Sequence, residues 1–249
     1  MRLDVFLTPG ELVPGEVADR TVVVIDVLRA TSSIVEALAA GATKLFPVAS
    51  IEEALRLANT LGRDTVLLCG ERKALPIEGF DLGNSPAEFT ADRVAGKTLV
   101  MSTTNGTSAL LAAPGASRVI VASWLNLGAI VEDLVRSGAE PVVVCAGRDR
   151  HFGLDDAVLA GRIAAEVMAA APDAEWTPND GALAALALAR AYSDPEALFP
   201  LTAAGQAIVA AGLGADLPFC AQVNRHEVVP VLHDRAVTLS APGAAVSQS

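Results

Sequence analysis

Short, continuously apolar runs recur along this chain and alternate with stretches of helical periodicity, and this alternation restricts the fold more than any other feature. The runs occupy residues 3–7, 21–25, 44–48, 65–69, 98–102, 118–122, 141–146 and 228–232. They are rich in Val, Ile and Leu at successive positions, as strands buried on both faces of a sheet are. Helical patterns fill residues 34–40, 51–61, 107–113, 127–137 and 156–171. Strands separated by helices pair in parallel and place helices on both faces, so the pattern predicts an α/β fold, a three-layer α/β/α arrangement with a mostly parallel sheet. Ser33 with Glu36 has the spacing of a capping box, Ser50 precedes Ile51-Glu52-Glu53, and Gly41, Gly62 and Gly138 stand where helices would stop. Between residues 176 and 214 the pattern changes to Ala-rich helices at 180–192 and 201–211 without an intervening strand. The expected organisation is one α/β domain over residues 1–249, with 172–216 as a helical insertion or small lobe near the C-terminus. Residues 240–249 are small and polar and are expected to fray.

Composition then excludes several classes of function. Hydrophobic residues make up 52% of the 249 positions, enough for a sizeable core, yet none of the runs approaches the roughly 20 apolar residues of a membrane span. The opening residues Met1-Arg2-Leu3-Asp4-Val5 lack the features of a secretory signal, so a cytoplasmic location is expected. Cys69, Cys145 and Cys220 are odd in number and far apart, which fits reduced structural thiols better than a disulfide framework or zinc site. A net charge of −11 without clustered Lys or Arg argues against nucleic acid, so a small anionic ligand would have to be held by local groups. A homodimer is the default expectation for a hydrophobic chain of this size.

Ligands of open α/β sheets bind beyond the carboxyl ends of the strands, where loop amides and helix N-termini converge. After residues 21–25 comes Asp26-Val27-Leu28-Arg29-Ala30-Thr31-Ser32-Ser33. Asp26 suits a cation or a phosphoryl group and Arg29 suits bidentate anion recognition, with Thr31 and Ser32 as neutral donors. The competing reading pairs Asp26 with Arg29 and leaves a serine to cap the helix. After residues 65–69 come Glu71, a metal-ligand or acid/base candidate, and Arg72, an anion-clamp candidate. Gly83-Asn84-Ser85 follows, a turn that either faces a ligand or starts a helix containing Glu88. The run Thr103-Thr104-Asn105-Gly106-Thr107 after residues 98–102 offers amides and hydroxyls to phosphate or sulfonate oxygens. It is not a P-loop, since no Lys follows the glycine, and no Gly-x-Gly-x-x-Gly follows a strand. Beyond residues 141–146 lie Arg148, Asp149, His151, Asp155 and Asp156, where an acid either caps a helix or ligates an ion.

Four strand ends that each carry acids, guanidiniums or hydroxyls point jointly to a reaction on an anionic, phosphorylated substrate. Hard oxygen donors suit Mg2+ better than a softer metal. Arg29, Arg72 and Arg148 would neutralise charge as a P–O bond breaks.

The stretches Val24-Ile25-Asp26-Val27-Leu28-Arg29-Ala30-Thr31-Ser32, Gly70-Glu71-Arg72, Gly79-Phe80-Asp81-Leu82-Gly83-Asn84-Ser85-Pro86, Thr103-Thr104-Asn105-Gly106-Thr107 and Cys145-Ala146-Gly147 resemble, in order and spacing, the 2-phosphosulfolactate phosphatase family. The likeness runs from about Asp4 to Leu232. It implies a Mg2+-dependent phosphatase that hydrolyses 2-phospho-3-sulfolactate to sulfolactate and phosphate, a step towards coenzyme M. On this reading of the strand ends, the expected catalytic group comprises Asp26, Arg29, Glu71 and Arg72. Thr31, Ser32, Asn84, Ser85, Thr103, Thr104, Asn105, Gly106, Thr107 and Arg148 would contact substrate, and Asp26, Glu71 and Asp156 would hold the metal. The family's Glu-Asp pair after the Cys-Ala-Gly strand is Asp155-Asp156 here, so position 155 carries a shorter acid. Residues 22–26 also resemble the nucleophile strand of haloacid-dehalogenase-type phosphatases, but the second acid expected two positions on is Leu28. Attack by water is therefore expected over an aspartyl-phosphate intermediate. The alternatives are a phosphatase or lyase for another small phosphorylated hydroxy acid, and a non-catalytic binder of an anionic metabolite.

Overall fold

A computed structural model of the chain describes residues 1–13 and 15–239. The segment 240–249, expected to fray, lies outside the described residues. The strands are β1 (Arg2–Phe6), β2 (Thr21–Ile25), β3 (Lys44–Pro47), β4 (Val66–Arg72), β5 (Leu75–Pro76), β6 (Thr98–Ser102), β7 (Arg118–Ala122), β8 (Val142–Cys145), β9 (Thr177–Pro178), β10 (Pro230–His233) and β11 (Ala236–Leu239). The α-helices are α1 (Ala30–Ala39), α2 (Ile51–Leu61), α3 (Ala91–Val94), α4 (Gly106–Leu111), α5 (Leu127–Ser137), α6 (Leu154–Ala170), α7 (Asp180–Ala191), α8 (Pro195–Leu198), α9 (Ala203–Ala210) and α10 (Asp216–Cys220).

Among the described residues eleven strands join one sheet in the order β5-β4-β6-β3-β11-β10-β7-β2-β8-β1-β9. Two parallel blocks, β4-β6-β3 and β7-β2-β8-β1, are joined by the β10–β11 hairpin, which pairs antiparallel with β7 on one side and β3 on the other. The sheet is thus α/β and mostly parallel, with an antiparallel bridge in its middle. Successive strand residues enter opposite cores, as the two-residue period of a strand requires. Val23 and Ile25 pack with α5, α6 and α7, whereas Val22 and Val24 pack with α1 and α4. The reading of residues 228–232 as a strand located β10, but β5, β9 and β11 had no clear apolar run to announce them.

Several terminal signals have the expected structure. The Ser50 hydroxyl accepts from the Glu53 amide at the start of α2, and Gly138 ends α5 in the left-handed conformation. The Ser33–Glu36 capping box does not form: α1 begins earlier, at Ala30, so Ser33 lies inside the helix and its hydroxyl donates to the Asn84 carbonyl. Gly161 allows a close approach of α7 to α6, since a Cβ there would lie 1.9 Å from the Ala185 carbonyl oxygen. Cys69, Cys145 and Cys220 are buried free thiols, and burial raises the pKa of each, that of Cys220 to about 12. No helix among the described residues is long and apolar enough to cross a membrane.

The sheet cannot be flat. Five inter-strand steps separate β6 from β2, roughly 24 Å at the usual strand spacing. Yet Gly106, four residues past β6 and so within a reach of about 14 Å, packs directly on Asp26 at the end of β2. The sheet therefore curls around α1 and α4, and the carboxyl ends of β2, β4, β6 and β8 meet over one cavity.

Candidate active site

The cavity measures about 150 Å³, a size for a small metabolite and below the usual range for drug-sized ligands. Asp26, Leu28 and Arg29 line it from the β2–α1 turn, Glu71, Lys73 and Ala74 from the β4–β5 hairpin, and Asn84 from the turn beyond. Thr104 and Asn105 follow β6, while Gly147, Arg148, Asp149, Asp155 and Asp156 follow β8. Ala204, Ala207 and Ile208 of α9 close the remaining wall.

Asp26 follows the buried residues 22–25 of β2, and its surroundings hold it rigidly. Its backbone amide donates to the Thr31 hydroxyl at 3.1 Å, the same hydroxyl donates to the Asp26 carbonyl at 2.9 Å, and the Ala30 amide donates to Oδ1 at 3.3 Å. Gly106 closes the other side, where a Cβ would stand 2.6 Å from Oδ2 and 2.5 Å from the Ala30 Cβ. Burial pushes the Asp26 carboxyl up to about 7; the Ala30 amide opposes the rise, and the charges of Glu71 and Asp155 add to it.

Asp155 and Asp156 occupy the first turn of α6. Asp156 ties two strand ends together, accepting from the Val27 amide at 2.9 Å and the Gly147 amide at 3.0 Å. Burial, and then repulsion from Asp155 and Asp26, holds its carboxyl well above the usual range. Burial likewise raises Asp155 to about 6. Glu71 is anchored by the Thr104 amide at 2.7 Å and the Ala74 amide at 2.8 Å. These acids repel one another across a shared space, which is the charge pattern that a cation relieves. Among the described residues no three His, Cys, Asp or Glu side chains form a ready-made metal cluster. Mg2+ is commonly held by one or two carboxylates with water and phosphate oxygens, so this donor set fits it without such a cluster.

The cations divide differently from the sequence expectation. Arg29 does not pair with Asp26: its Nη1 donates to Asp216 at 2.5 Å and its Nη2 to the Ala74 carbonyl at 2.6 Å. Asp216 also accepts from the Ser85 hydroxyl at 2.5 Å. Arg148 donates to the Ala203 carbonyl at 2.8 Å and so joins its loop to α9. Arg72 does not line the cavity, because its guanidinium turns to the Ser102 hydroxyl at 2.8 Å and to the Glu71 and Ser102 carbonyls.

Several residues expected to touch substrate instead build the wall. Thr31 clasps the Asp26 backbone, and the Ser32 hydroxyl donates to the Val27 carbonyl at 2.9 Å. Thr103 and Thr107 bond to each other's backbone and hydroxyl groups, Ser85 is taken by Asp216, and Gly106 packs on Asp26. Asn84, Thr104, Asn105 and Arg148 do face the cavity. Sequence reading missed Lys73, Asp216 and the α9 residues. Lys73 stood beside the more conspicuous Glu71-Arg72 pair, and nothing about Asp216, a lone acid at the start of a short helix, marks a partner 187 residues away.

Fold and site together are those of an α/β enzyme with an acid- and guanidinium-lined cavity. Residues 6–235 match the family model described as 2-phosphosulpholactate phosphatase, and the chain belongs to that family. A relative from Symbiobacterium thermophilum, described as a probable 2-phosphosulfolactate phosphatase, is 44% identical over 225 residues, covering 90% of this chain and 96% of its own. Proteins of the same description from Thermus thermophilus and Deinococcus radiodurans are 44% and 39% identical. They match over 239 and 234 residues, covering 94% and 93% of this chain and 96% and 93% of their own.

Proposed function

We propose that this chain is a cytoplasmic, Mg2+-dependent phosphatase that hydrolyses (2R)-2-phospho-3-sulfolactate to 3-sulfolactate and phosphate, as in coenzyme M biosynthesis. The observation that carries this reading is the convergence of Asp26, Glu71, Asp155 and Asp156 with Arg29, Lys73 and Arg148 on one small cavity. A pure anion binder would exclude such acids, because uncompensated carboxylates repel the ligand. A hydrolase needs them to hold a cation and move protons.

Asp26, with Glu71 or Asp156 beside it, would hold Mg2+, which when bound supplies positive charge to phosphoryl oxygens and acidifies water. Arg29, oriented by Asp216 and the Ala74 carbonyl, keeps donors free for the phosphoryl group. Lys73 and Arg148, on separate walls, suit the carboxylate and sulfonate of the same substrate. Asp26 takes a proton from the attacking water as its oxygen bonds to phosphorus. The P–O bond to C2 then breaks, and the departing oxygen takes up a proton from solvent to become the hydroxyl of sulfolactate. The wall of Ala204, Ala207 and Ile208 would pack on the carbon skeleton.

A panel of phosphorylated hydroxy acids, assayed for released phosphate with and without Mg2+, tests the proposal. The highest kcat/KM is expected with 2-phosphosulfolactate. Preference for a substrate lacking the sulfonate would refute the substrate assignment, and binding without phosphate release would refute the activity.

A further inference from the structure

We propose that Asn105 is a positioning residue whose side-chain carbonyl holds the 148–151 hairpin in the shape that presents Arg148 to the substrate. The role of Arg148 itself rests on the phosphatase reading above. Asn105 is the N-cap of α4, where an asparagine oxygen ordinarily accepts from an amide of the first helical turn. Its side chain makes no such bond. The Thr103 hydroxyl accepts from the Thr107 amide at 3.0 Å and serves the helix start instead. The Asn105 Oδ1 accepts from the Asp149 amide at 3.1 Å, 44 residues along the chain. A residue suited to capping its own helix thus commits its oxygen to a loop from another strand end, and Asn105, Arg148 and Asp149 all line the cavity.

The hairpin needs such a bond. Arg148 and His151 exchange backbone hydrogen bonds at 2.9 and 2.8 Å, closing a two-residue turn over Asp149 and Arg150. Both turn residues are left-handed, with φ of 50° and 67°. Asp tolerates that conformation, but Arg150 stands where such turns ordinarily place glycine. Strain of this kind persists where surrounding contacts over-determine the backbone. Among the described residues, the Asn105 bond is the only hydrogen bond from outside the hairpin to either turn residue. At the base of the turn the Arg148 Nη1 donates to the Ala203 carbonyl at 2.8 Å, so the hairpin is pinned to α4 and to α9. The β4–β5 hairpin is built in the same way. Its turn residues Lys73 and Ala74 are left-handed at 54° and 66°, and the cavity residue Glu71 accepts from the Ala74 amide at 2.8 Å. Each strained turn carries or adjoins one of the two cations assigned to the carboxylate and sulfonate, and each is held by an acceptor from the cavity wall. Loss of the Asn105 oxygen frees the Asp149 amide and relaxes the turn. Arg148 must then be ordered when substrate binds, which weakens binding.

Kinetics of single and double variants, with amide hydrogen exchange of the substrate-free protein, test the role. Asn105→Ala should raise KM for 2-phosphosulfolactate roughly three- to tenfold, the weight of one net hydrogen bond, with a smaller effect on kcat. Added to Arg148→Ala, it should raise KM no further, because the two residues act as one unit. Residues 148–151 should exchange faster in Asn105→Ala than in wild type, and Asn105→Asp, which keeps the acceptor, should restore their protection. The role is overturned if KM is unchanged in Asn105→Ala, or if the two single losses multiply in the double variant, as they would if Asn105 itself touched substrate. Exchange at 148–151 as slow in Asn105→Ala as in wild type overturns it equally. Wild-type protein that releases no phosphate removes the phosphatase reading, and the exchange measurement then decides alone whether Asn105 holds the hairpin.

Discussion

Asp26 and Arg29 lie on one turn but depend on different supports, and substitutions at those supports should give different defects. Gly106→Ala would place a methyl group within 2.6 Å of Asp26 Oδ2 and 2.5 Å of the Ala30 Cβ. Overpacking of this kind costs about 1–3 kcal/mol, so a lower melting temperature is expected together with a kcat loss of at least roughly tenfold from displacement of Asp26. Wild-type kinetics in this variant would show that Asp26 is not held by the contact. Asp216→Ala leaves Arg29 buried without its partner, a change that typically costs about 3–5 kcal/mol. Its KM should rise as the guanidinium turns from the cavity, and a chemical melt with steady-state kinetics would measure both effects. These supports show the limit of sequence reading at this scale. Asp26 and Glu71 are visible because each stands where an apolar run ends, and Asp156 because it stands with Asp155 where a helical pattern begins. Whether Thr31 or Ser85 faces a ligand or bonds to its own wall depends on partners brought from elsewhere, as Asp216 is to Ser85.

Among the elements, the β10–β11 hairpin and α9 carry consequences that their sequences do not announce. Residues 228–232 read as one more strand in an α/β series, but β10 bridges two parallel blocks together with β11, whose register places the fully buried Val237 opposite Leu45 of β3. Val237→Asp would put an unpaired charge into that core, and loss of cooperative unfolding in circular-dichroism melts is expected. A variant as stable as wild type would show that the hairpin is dispensable. The Ala-rich composition of residues 201–211 announced helices but not their destination. Only the fold shows that α9 presents Ala204, Ala207 and Ile208 to the cavity. Ala207→Leu should narrow the site and raise KM roughly tenfold, the scale of one to a few methylene groups in a pocket, while leaving the melting temperature within a few degrees. Unchanged KM would place α9 outside the substrate's reach.

For the whole molecule, the concentration of acids at one end of the curled sheet makes stability depend on pH. Burial raises Asp26 to about 7 and Asp155 to about 6 from an ordinary 3.8, and raises Asp156 well above it. Between the ordinary and native values the folded chain binds more protons than the unfolded one. This contribution is therefore fully present below about 3.8 and is lost as pH rises through about 6 to 7. Metal-free protein should melt higher at pH 5.5 than at pH 8, and Mg2+ should raise the melting temperature more at pH 8, where these carboxylates are ionised. A flat profile would argue against a strained acid cluster. At this scale the sequence was most legible: continuous apolar runs specified an α/β sheet, and the order of motifs specified the family. The curl that joins β2 to β6 was not legible, because it follows from packing around α1 and α4. Phosphate release from 2-phosphosulfolactate by wild type and Asp26→Asn, each titrated with Mg2+, tests the assigned chemistry most directly. Wild type should turn over only with Mg2+ and Asp26→Asn should lose at least roughly a hundredfold in kcat, whereas full activity in the variant, or metal-independent turnover, would contradict it.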